Sequence, residues 1–595
     1  MHRIGCRFLL TIWTVPFLAN SASNVVLENN GYNNVLIAIH NDVDEVDGLL
    51  NRIKILESNG ADPTGGTVVL ITDGTENEPP MISTVINTLV GAGVVVSCIG
   101  IGPEADEQLA FIASETGGSS YHHVDEDSVA DLSQIFNSVE FYRSNSDWNM
   151  ATLQIYSETI ILAASDVIGG NFYIDSTIGE GTTMTVFWKQ DSAPIDLTIN
   201  DPDNDVIDDS YSGYEIKIDF KMVEVRIAGV AKTGRWEFHV TNPTIEALTL
   251  SISVNSKPTE GSTPPLHVSP HILVNKVNFT DTPSPMMIIS AEVLRGYDAV
   301  INANVTAILR VSTALDDGTV TEVSTLTLKD NGAGGDLHED DGIYCAFFTS
   351  YSIDGKYNIK IIVNNEDASA GIVYDAVRNR GPEIPTDGEP NEPITEPAEQ
   401  FTRIASAGYF SVSDLPPNMT SHDWFAPSKV TDLKVTNISS EERTAVLSWT
   451  ATGDDYDQGT ASFYDIRFSS SFSELRNSFE STSSVEGHHG IVGGLHAPQN
   501  SGNNEVITLV INNSVITGQR VCVALQAVDD SGHKSETSNI VSIVFHSEEP
   551  MHMRSDQTKT IILASCITVS IVVTIIVVLF IIRQLKMKAS IAVGV

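Results

Sequence analysis

The sequence predicts a multidomain protein in which a partial, doubly wound α/β domain precedes all-β sandwich modules and one C-terminal transmembrane helix. Three observations carry this prediction. Apolar runs alternate with amphipathic stretches between residues 67 and 139, and apolar residues recur at every second position in many runs after residue 148. An uncharged apolar run lies near the end of the chain. At 595 residues the chain has room for roughly four domains.

The N-terminus has the features of a secretory signal peptide, predicted over residues 1–21. Arg3 and Arg7 precede the apolar run from Phe8 to Leu18, and small residues suited to cleavage follow. An ordinary buried helix is the alternative interpretation. The signal predicts that the mature chain is exported.

The apolar run near the C-terminus predicts a membrane span over residues 560–582. It contains no charged residue and is long enough to cross the hydrocarbon core, and Arg583, Lys586 and Lys588 predict a cytoplasmic tail over residues 583–595. A processed glycolipid-anchor signal is the alternative. The span has no ionisable side chain to line an ion path, so the chain is not expected to be a pore itself. We expect a single-pass type I protein of the plasma membrane with an extracellular ectodomain, or one retained in the endoplasmic reticulum if it misfolds.

Composition excludes one class of partner and one class of scaffold. The chain has 33 Lys and Arg against 77 Asp and Glu, a formal net charge of −44, which repels phosphate backbones and predicts no nucleic-acid binding. Five cysteines are too few for a disulfide scaffold, and those outside the predicted signal and span lie in apolar, strand-like runs typical of buried free thiols: Cys98, Cys345 and Cys522.

Five sites match the N-glycosylation sequence Asn-x-Ser/Thr, which agrees with an extracellular location. Each such match is common by chance. The candidate acceptors are Asn278, Asn304, Asn418, Asn437 and Asn512.

The α/β region follows the order β-α-β-α-β-α, typical of a doubly wound parallel sheet. Three strands are about half of what such a fold requires. In chain order the elements are a strand at Thr67–Thr72, a helix at Met81–Leu89, a strand at Val94–Ile99, a helix at Ala105–Ser114, a strand at Tyr121–Val124 and a helix capped by Asp127, with Val129, Leu132, Phe136 and Val139 on one face.

Period-two alternation after residue 148 predicts β-sandwich modules, within which Trp236 and Trp449 are expected to be core residues. We divide this region into a β-rich domain at 148–260, a β-sandwich domain at 262–380 and a further β domain at 426–547. Between the last two, residues 381–425 are predicted to be a linker, because Gly381–Gln400 holds five prolines and six acidic residues without Lys or Arg.

Four stretches of the chain together resemble the calcium-activated chloride channel regulator family, in the family's own order. Asn30-Gly31-Tyr32 with Val35–Ile39 resembles the start of the mature proteins, and Gly66–Gly74 resembles the middle strand of their von Willebrand factor A domain. Leu328–Gly332 with Asp341–Tyr344 resembles their β-sandwich region. Gly453–Asp455, Tyr464–Arg467 and Ala527–Asp529 resemble their membrane-proximal fibronectin type III-like domain.

The resemblance also implies a segment that this sequence lacks. Members of the family carry a zinc-protease domain with a His-Glu-x-x-His motif, whereas the one His-Glu pair here, His338-Glu339, is followed by Asp340-Asp341-Gly342. We therefore interpret the chain as a truncated member without the protease domain and without the first half of the A domain. It is expected to be no enzyme and to bind no zinc. Residues 22–53 are then a remnant of the family's N-terminal domain, and residues 60–142 a partial A domain.

Asp73 is the single metal ligand that the resemblance implies. It ends the strand Thr67–Thr72, where an intact A domain would hold Ca²⁺ or Mg²⁺ together with an Asp-x-Ser-x-Ser triplet on an earlier strand. No such triplet precedes Asp73, and one carboxylate replaces too little of the ion's hydration shell. The match Asp208-x-Ser210-x-Ser212 lies downstream and is attributed to chance. Asp73 is therefore expected to be a remnant ligand at an incomplete site.

Three acidic clusters are candidates for Ca²⁺ binding or for solvated turns, and the turn is the expected state. None matches the EF-hand spacing. The adjacent pairs His122-His123 and His488-His489 have poor geometry for a metal because neighbours on a strand point to opposite faces. The clusters are Asp201, Asp203, Asp205, Asp208 and Asp209; Asp330, Asp336, Glu339, Asp340 and Asp341; and Asp454, Asp455 and Asp457.

The function implied by the resemblance is regulation of a calcium-activated chloride conductance by a cell-surface glycoprotein, through contact with a chloride channel or another surface protein. Three alternatives stay open: a metallohydrolase lineage whose protease activity is lost here, an adhesion protein acting through its β modules, and a non-functional truncated product.

Overall fold

The computed structural model describes residues 24–26, 35–40, 67–72, 82–101 and 108–123, most of 152–545, 572–579 and 581–583. The gaps within 152–545 are 192–193, 260, 262, 282–285, 316–317, 375–393, 420, 486–489, 493–495 and 512–517. The described part is mostly β-sheet with few helices, as the sequence predicts.

The α/β unit is built on one sheet whose strand order is β1-β2-β3-β4-β5. Strands β2 to β5 are parallel, and β1 pairs antiparallel with β2. The strands are β1 (Asn24–Val26), β2 (Val35–His40), β3 (Thr67–Thr72), β4 (Val95–Ile101) and β5 (Ser120–His123), and the helices are α1 (Ile82–Gly91) and α2 (Gln108–Thr116).

This sheet has more strands than the three predicted, because β1 and β2 join it. The sequence predicts that the run Val35–Ile39 belongs to a separate N-terminal remnant, yet β2 pairs in register with β3 along its whole length, from Val35–Thr67 to His40–Thr72. Its continuous apolar sequence is typical of strands in parallel sheets. The predicted helix after Asp127 lies outside the described residues.

One face of the sheet packs against α1 and α2. Val68, Leu70 and Val96 from the strands meet Leu89 and Ile112 from the helices, all almost completely buried. Cys98 lies in the same core as a free thiol, and Cys345 and Cys522 are also free and buried, which confirms the interpretation of all three.

The first β module (residues 152–259) is a sandwich of antiparallel strands. Its core holds Trp236, stacked on Phe172 with a ring-centroid distance of 5.9 Å. Its strands are β6 (Leu153–Leu162), β7 (Val167–Ile174), β8 (Ile178–Trp188), β9 (Asp196–Asn200), β10 (Val206–Ile207), β11 (Tyr214–Lys217), β12 (Met222–Arg226), β13 (Gly234–Thr241) and β14 (Leu248–Pro258).

The second β module (residues 263–425) encloses the largest apolar core of the described chain. Its strands are β15 (Leu266–Ile272), β16 (Lys276–Asn278), β17 (Ile288–Arg295), β18 (Asp298–Ile301), β19 (Asn304–Leu315), β20 (Gly318–Leu328), β21 (Ile343–Phe347), β22 (Gly355–Asn364), β23 (Gly371–Tyr374), β24 (Ile394–Pro397) and β25 (Thr402–Ser413).

The first two β modules share a 10-stranded sheet, whose main path is β11-β12-β8-β14-β6-β25-β22-β19-β20. Strand β25 joins them: it pairs with β22 along its length and with β6 through Ile404 and Gln154. A buried ion pair between Arg403 on β25 and Asp175 after β7 lies at the same junction.

The predicted linker 381–425 therefore differs from the structure, which places β24 and β25 within it. The prolines and acidic residues that suggested a linker end at Gln400. Beyond them Phe401, Tyr409 and Phe410 are buried, because this stretch completes the core of the second β module.

The third β module (residues 426–545) consists of two 4-stranded sheets, β26-β27-β31-β30 and β29-β28-β32-β33. Trp449 lies between them at 1% exposure, edge-on to Tyr464, so both predicted tryptophan anchors are confirmed. The elements are β26 (Lys434–Ser439), β27 (Thr444–Thr450), β28 (Phe463–Ser469), α3 (Phe472–Asn477), β29 (Ser483–Ser484), β30 (Gly490–Ile491), β31 (Asn504–Val510), β32 (Arg520–Val528) and β33 (Val541–Val544).

Near the C-terminus, residues 572–579 and 581–583 are helical. Within the part of the chain that the structure describes, no helix has the length and apolar character needed to cross a membrane. Most of the predicted span 560–582, the predicted signal 1–21 and nearly all of the tail 583–595 lie outside the described residues.

Candidate functional site

Two of the predicted site residues lie outside the described residues: Asp73, directly after β3, and Asn512. The metal-ligand role of Asp73 therefore stays a prediction. The pair His488-His489 lies outside them as well.

The other candidate glycan acceptors lie at the surface. Asn304, Asn418 and Asn437 are exposed, whereas Asn278 is half-buried and its Nδ2 donates a hydrogen bond to Asp414 Oδ2 at 2.9 Å. A glycan on Asn278 would replace one of the two amide hydrogens and leave the other for this bond. Glycosylation of these residues stays a prediction.

The carboxylates of the cluster around Asp201 form ion pairs with a lysine of the same chain. Lys232 Nζ lies 2.5 Å from Asp201, 2.7 Å from Asp203 and 3.1 Å from Asp205, and these hydrogen bonds raise the pKa of Lys232 above its ordinary value. Asp208 instead accepts hydrogen bonds from the N–H and hydroxyl of Ser210, a local turn. The lysine fills the place that a metal would take.

The cluster around Asp330 supports its own loop. Asp330 accepts the N–H groups of Asp341 and Gly342 at 3.2 and 2.9 Å, and Asp336 accepts those of Asn331 and Gly332 at 2.6 and 2.7 Å. Burial raises the pKa of Asp330 to about 7 even though these bonds oppose the rise. These carboxylates hold together the loop between β20 and β21.

A third cluster, which we call the junction cluster, lies where the second and third β modules meet. It comprises Asp423, Asp454, Asp455, Asp529, Asp530 and His533, contributed by three separate loops. His533 Nδ1 lies 3.1 Å from Asp529 Oδ2 and 3.5 Å from Asp423 Oδ2. Asp529 is buried, and its Oδ1 also accepts the N–H of His533 at 2.7 Å.

The electrostatics of the junction cluster are those of an undercompensated group of carboxylates. Burial raises the pKa of Asp455 to about 7, and the charges of Asp423 and Asp454 add to the rise. Burial and the nearby Asp530 also raise the pKa of Asp454. Carboxylate oxygens with one imidazole nitrogen can take up a proton or a hard divalent cation, and one ligand atom each from Asp423, Asp529 and His533 lie within 4.8 Å of one another.

Next to the junction cluster, Asp457 fixes the two modules together. Its carboxylate accepts the N–H groups of Phe347 at 3.1 Å and Gly335 at 3.3 Å, both in the second β module. Tyr456 stacks on Phe347 with ring centroids 4.6 Å apart. From the second β module, Lys329 Nζ donates a hydrogen bond to the carbonyl of Ser501 in the third at 2.6 Å. The junction cluster therefore lies on an ordered interface.

Sequence reasoning identified Asp454 and Asp455 but missed Asp423 and His533 as their neighbours. The loops that supply them are far apart in the chain, and no spacing rule links them. One feature of the sequence could have indicated the site. The acidic pairs Asp454-Asp455 and Asp529-Asp530 follow soon after β27 and β32, two strands of one sandwich.

A groove of about 510 Å³ lies between β5 and the outer face of the 10-stranded sheet. His122 and His123 line it together with Glu158, Arg310 and Lys360. His122 is buried, and its ring lies 5.5 Å from that of Tyr409, so it is part of the contact between the α/β unit and β25.

Comparison with known proteins finds a family that matches the α/β unit and relatives that match most of the chain. The family described as "von Willebrand factor type A domain" matches residues 57–138, the region of the α/β unit. Calcium-activated chloride channel regulator 4 of Homo sapiens is 30% identical over 80% of this chain and 50% of its own length. Calcium-activated chloride channel regulator 1 of Mus musculus is 30% identical over 82% and 52%, and that of Macaca mulatta is 29% identical over 97% and 62%.

The chain belongs to the calcium-activated chloride channel regulator family. The resemblance stated from its motifs is thereby confirmed, and so is the von Willebrand A character of the α/β unit. This family member spans about half to three-fifths of the length of these relatives. Among solved structures, the match to a DUF4785 family protein of Legionella pneumophila covers 63% of this chain and 90% of that protein at 13% identity. Its TM-score of 0.23 is too low to indicate a shared fold.

In this family member, Asp455→Asn is expected to stabilise the third β module at neutral pH. Because the pKa of Asp455 is raised in the folded state, its contribution favours folding at low pH and is lost as the pH rises from about 4 to about 7. The variant should therefore show a higher unfolding temperature at pH 8 and a flatter pH dependence between these limits, measured by scanning calorimetry without divalent cations.

The matched control is Asp209→Asn, which removes the same charge from an exposed position of the first β module. It should leave the pH profile of the third β module unchanged. An Asp455→Asn profile that coincides with that of the wild type would contradict the raised pKa.

Proposed function

We propose that this protein is a cell-surface glycoprotein that modulates a calcium-activated chloride conductance without forming the pore. The observation that carries the proposal is the similarity to relatives named as calcium-activated chloride channel regulators along at least four-fifths of the chain. The partner would be a chloride channel or another surface protein.

The sequence features at the two ends support the proposed location. A signal over residues 1–21 and a span over residues 560–582 would place residues 22–559 outside the cell, and exposed sequons at Asn304, Asn418 and Asn437 would then be accessible to glycosylation. In this arrangement the third β module, which we propose to be fibronectin type III-like, lies next to the membrane.

A divalent cation at the A-like domain is part of the same proposal. Asp73 would contribute one carboxylate to Ca²⁺ or Mg²⁺ at the end of β3, with too few oxygen ligands to hold the ion tightly. We propose no zinc and no protease activity, because the sequence contains no His-Glu-x-x-His motif: its two histidines at that spacing, His267 and His271, are separated by Val-Ser-Pro, without the glutamate. A cleavage assay with a chelator control tests the rival metallohydrolase function.

The experiment co-expresses the full chain with a calcium-activated chloride channel and records whole-cell chloride current after a rise in cytosolic Ca²⁺. Acquisition of glycans resistant to endoglycosidase H, followed by surface labelling, first establishes that the chain leaves the endoplasmic reticulum. The expected result is a changed current amplitude relative to cells that express the channel alone. The matched pair of variants is Arg235→Ala, a surface substitution, and Arg403→Ala, which breaks the buried ion pair.

An unchanged current in cells that display the chain at their surface would contradict regulation of that conductance. Persistent sensitivity to endoglycosidase H would favour the non-functional product instead. Calcium-dependent cell binding by the surface-displayed chain, with no effect on current, would favour the adhesion function.

A further inference from the structure

Strand β20 forms one edge of the 10-stranded sheet. It runs from Gly318 to Leu328 and pairs with β19 along its whole length. Within the part of the chain that the structure describes, no other strand pairs with residues 318–328, and the backbone contact with β21 begins only at Lys329 and Cys345. An 11-residue edge therefore presents a row of backbone N–H and C=O groups.

The other edge strands of the described sheets are short or interrupted. Those with more than four residues are β15, which contains Pro270, β21, whose outer side is bridged to Lys329 through Cys345, β26, which has a bulge after Val435, and β7, which contains Gly169 and Gly170. Proline, bulges and short length are the usual protection against pairing with another chain. Strand β20 has none of them, and its one charged residue is Glu322.

The sequence of β20 is complementary to itself in the antiparallel direction. With Val323 on a two-fold axis, the opposed positions are Thr319 and Thr327, Val320 and Leu326, Thr321 and Thr325, and Glu322 and Ser324. Apolar positions thus oppose apolar positions, threonines oppose threonines, and each Glu322 faces an uncharged serine rather than the other Glu322. β-Branched pairs of this kind stabilise antiparallel pairing, whereas opposed like charges would destabilise it.

We propose that β20 pairs antiparallel with β20 of a second copy of this chain, so that the two 10-stranded sheets continue across a two-fold axis at Val323. A two-fold axis gives a closed dimer, because the same edge is used by both copies. The exposed fraction of Val323, 57%, leaves its side chain accessible for this contact. The proposal does not rest on the regulation of a chloride conductance, although the cross-linking test below uses the proposed extracellular location.

The net charge of −44 on each copy sets the salt dependence of this dimer. The electrostatic repulsion between the two ectodomains is screened over a distance of about 8 Å at physiological ionic strength, and added salt shortens this distance. The pairing itself is made of hydrogen bonds and uncharged side chains. Dimerisation is therefore expected to strengthen as salt is raised, the opposite of an interface held by ion pairs.

The test uses the full chain at the cell surface, with cysteine introduced at single positions and a short bis-maleimide added outside the cell. Val323→Cys should give a cross-linked dimer, because position 323 of one copy faces position 323 of the other. Thr319→Cys is the matched control: its two copies would lie about 27 Å apart, since each residue of a strand advances about 3.4 Å. Co-expression of Thr319→Cys with Thr327→Cys should restore the cross-link.

A second measurement is the self-association of the purified full chain in detergent at low and high salt. Val323→Lys should abolish it, since two lysines would face each other across the axis, whereas Ile245→Lys, at a position 91% exposed in the first β module, should not. Equal cross-linking at positions 323 and 319, or a monomer at every salt concentration, would overturn the proposal. If no dimer is found and Val323→Lys instead abolishes binding to a different protein, the proposal is overturned, and β20 pairs with a strand of that protein.

Discussion

Replacing Arg403 with alanine is expected to destabilise the joined first and second β modules by about 3–5 kcal/mol, because it leaves the buried carboxylate of Asp175 without its partner. The side chains of Arg403 and Asp175 are only 2% and 8% exposed. Arg403 also donates to the carbonyls of Leu266 and Thr402, at 3.0 Å each, so the substitution removes these two hydrogen bonds as well.

The electrostatics of Asp175 predict the pH dependence of the same contact. Burial alone would raise its pKa, but Arg403 and Thr177 outweigh burial and hold the pKa below its ordinary value. A lowered folded-state pKa contributes stability above the unfolded pKa of about 4, and this contribution is lost as the pH falls further. The wild type should therefore lose more stability on acidification than a variant that lacks the pair.

Urea unfolding followed by hydrogen exchange in peptides from β6 and β25 measures this effect. The control is Arg235→Ala, which breaks an exposed pair with Glu237 and should cost at most about 1 kcal/mol. Equal losses in the two variants would contradict the structural role of the buried pair.

Replacing Trp236 with alanine is expected to cost the first β module about 3–5 kcal/mol, the range for removing a large aromatic side chain from a core. Trp236 is 2% exposed, stacks on Phe172 and donates its Nε1–H to the carbonyl of Lys232 at 2.9 Å. The same lysine binds Asp201, Asp203 and Asp205, so the cavity would also loosen the turn that carries this acidic cluster.

Denaturant unfolding measures the loss of stability, and hydrogen exchange of the β13 amides reports it locally within the first β module. Phe463→Ala is the control, since that ring is 47% exposed on the third β module and its removal should change stability by only about 0.5 kcal/mol. Unchanged protection of β13 in the Trp236 variant would contradict its place as the anchor of this core.

The elements that could be predicted are those whose signal is local. The apolar run of β3, the amphipathic pattern of α1 and the alternation along β14 predicted their structures because burial follows the period of each element. A period of two, however, tells which face of a strand is buried and not which strand lies beside it. For this reason the sequence does not predict that β2 lies beside β3, or that β25 lies in the centre of the largest sheet.

The candidate site could be predicted in part for the same reason. Asp454 and Asp455 are neighbours in the chain and were recognised as an acidic cluster. Their contact with Asp423 and His533 depends on how the third β module docks on the second through Tyr456 and Asp457. Docking is a property of two folded surfaces, and no single stretch of sequence encodes it.

The place of β25 in the 10-stranded sheet fixes an order of events during synthesis. Its neighbours β6 and β22 leave the ribosome well before it, and neither has its final partner on that side until residue 413 has been translated. Pairing between strands so far apart in the chain is slow, and unpaired edges are exposed in the meantime. The sheet that joins the first two β modules is therefore completed only after the last strand of the second has been synthesised.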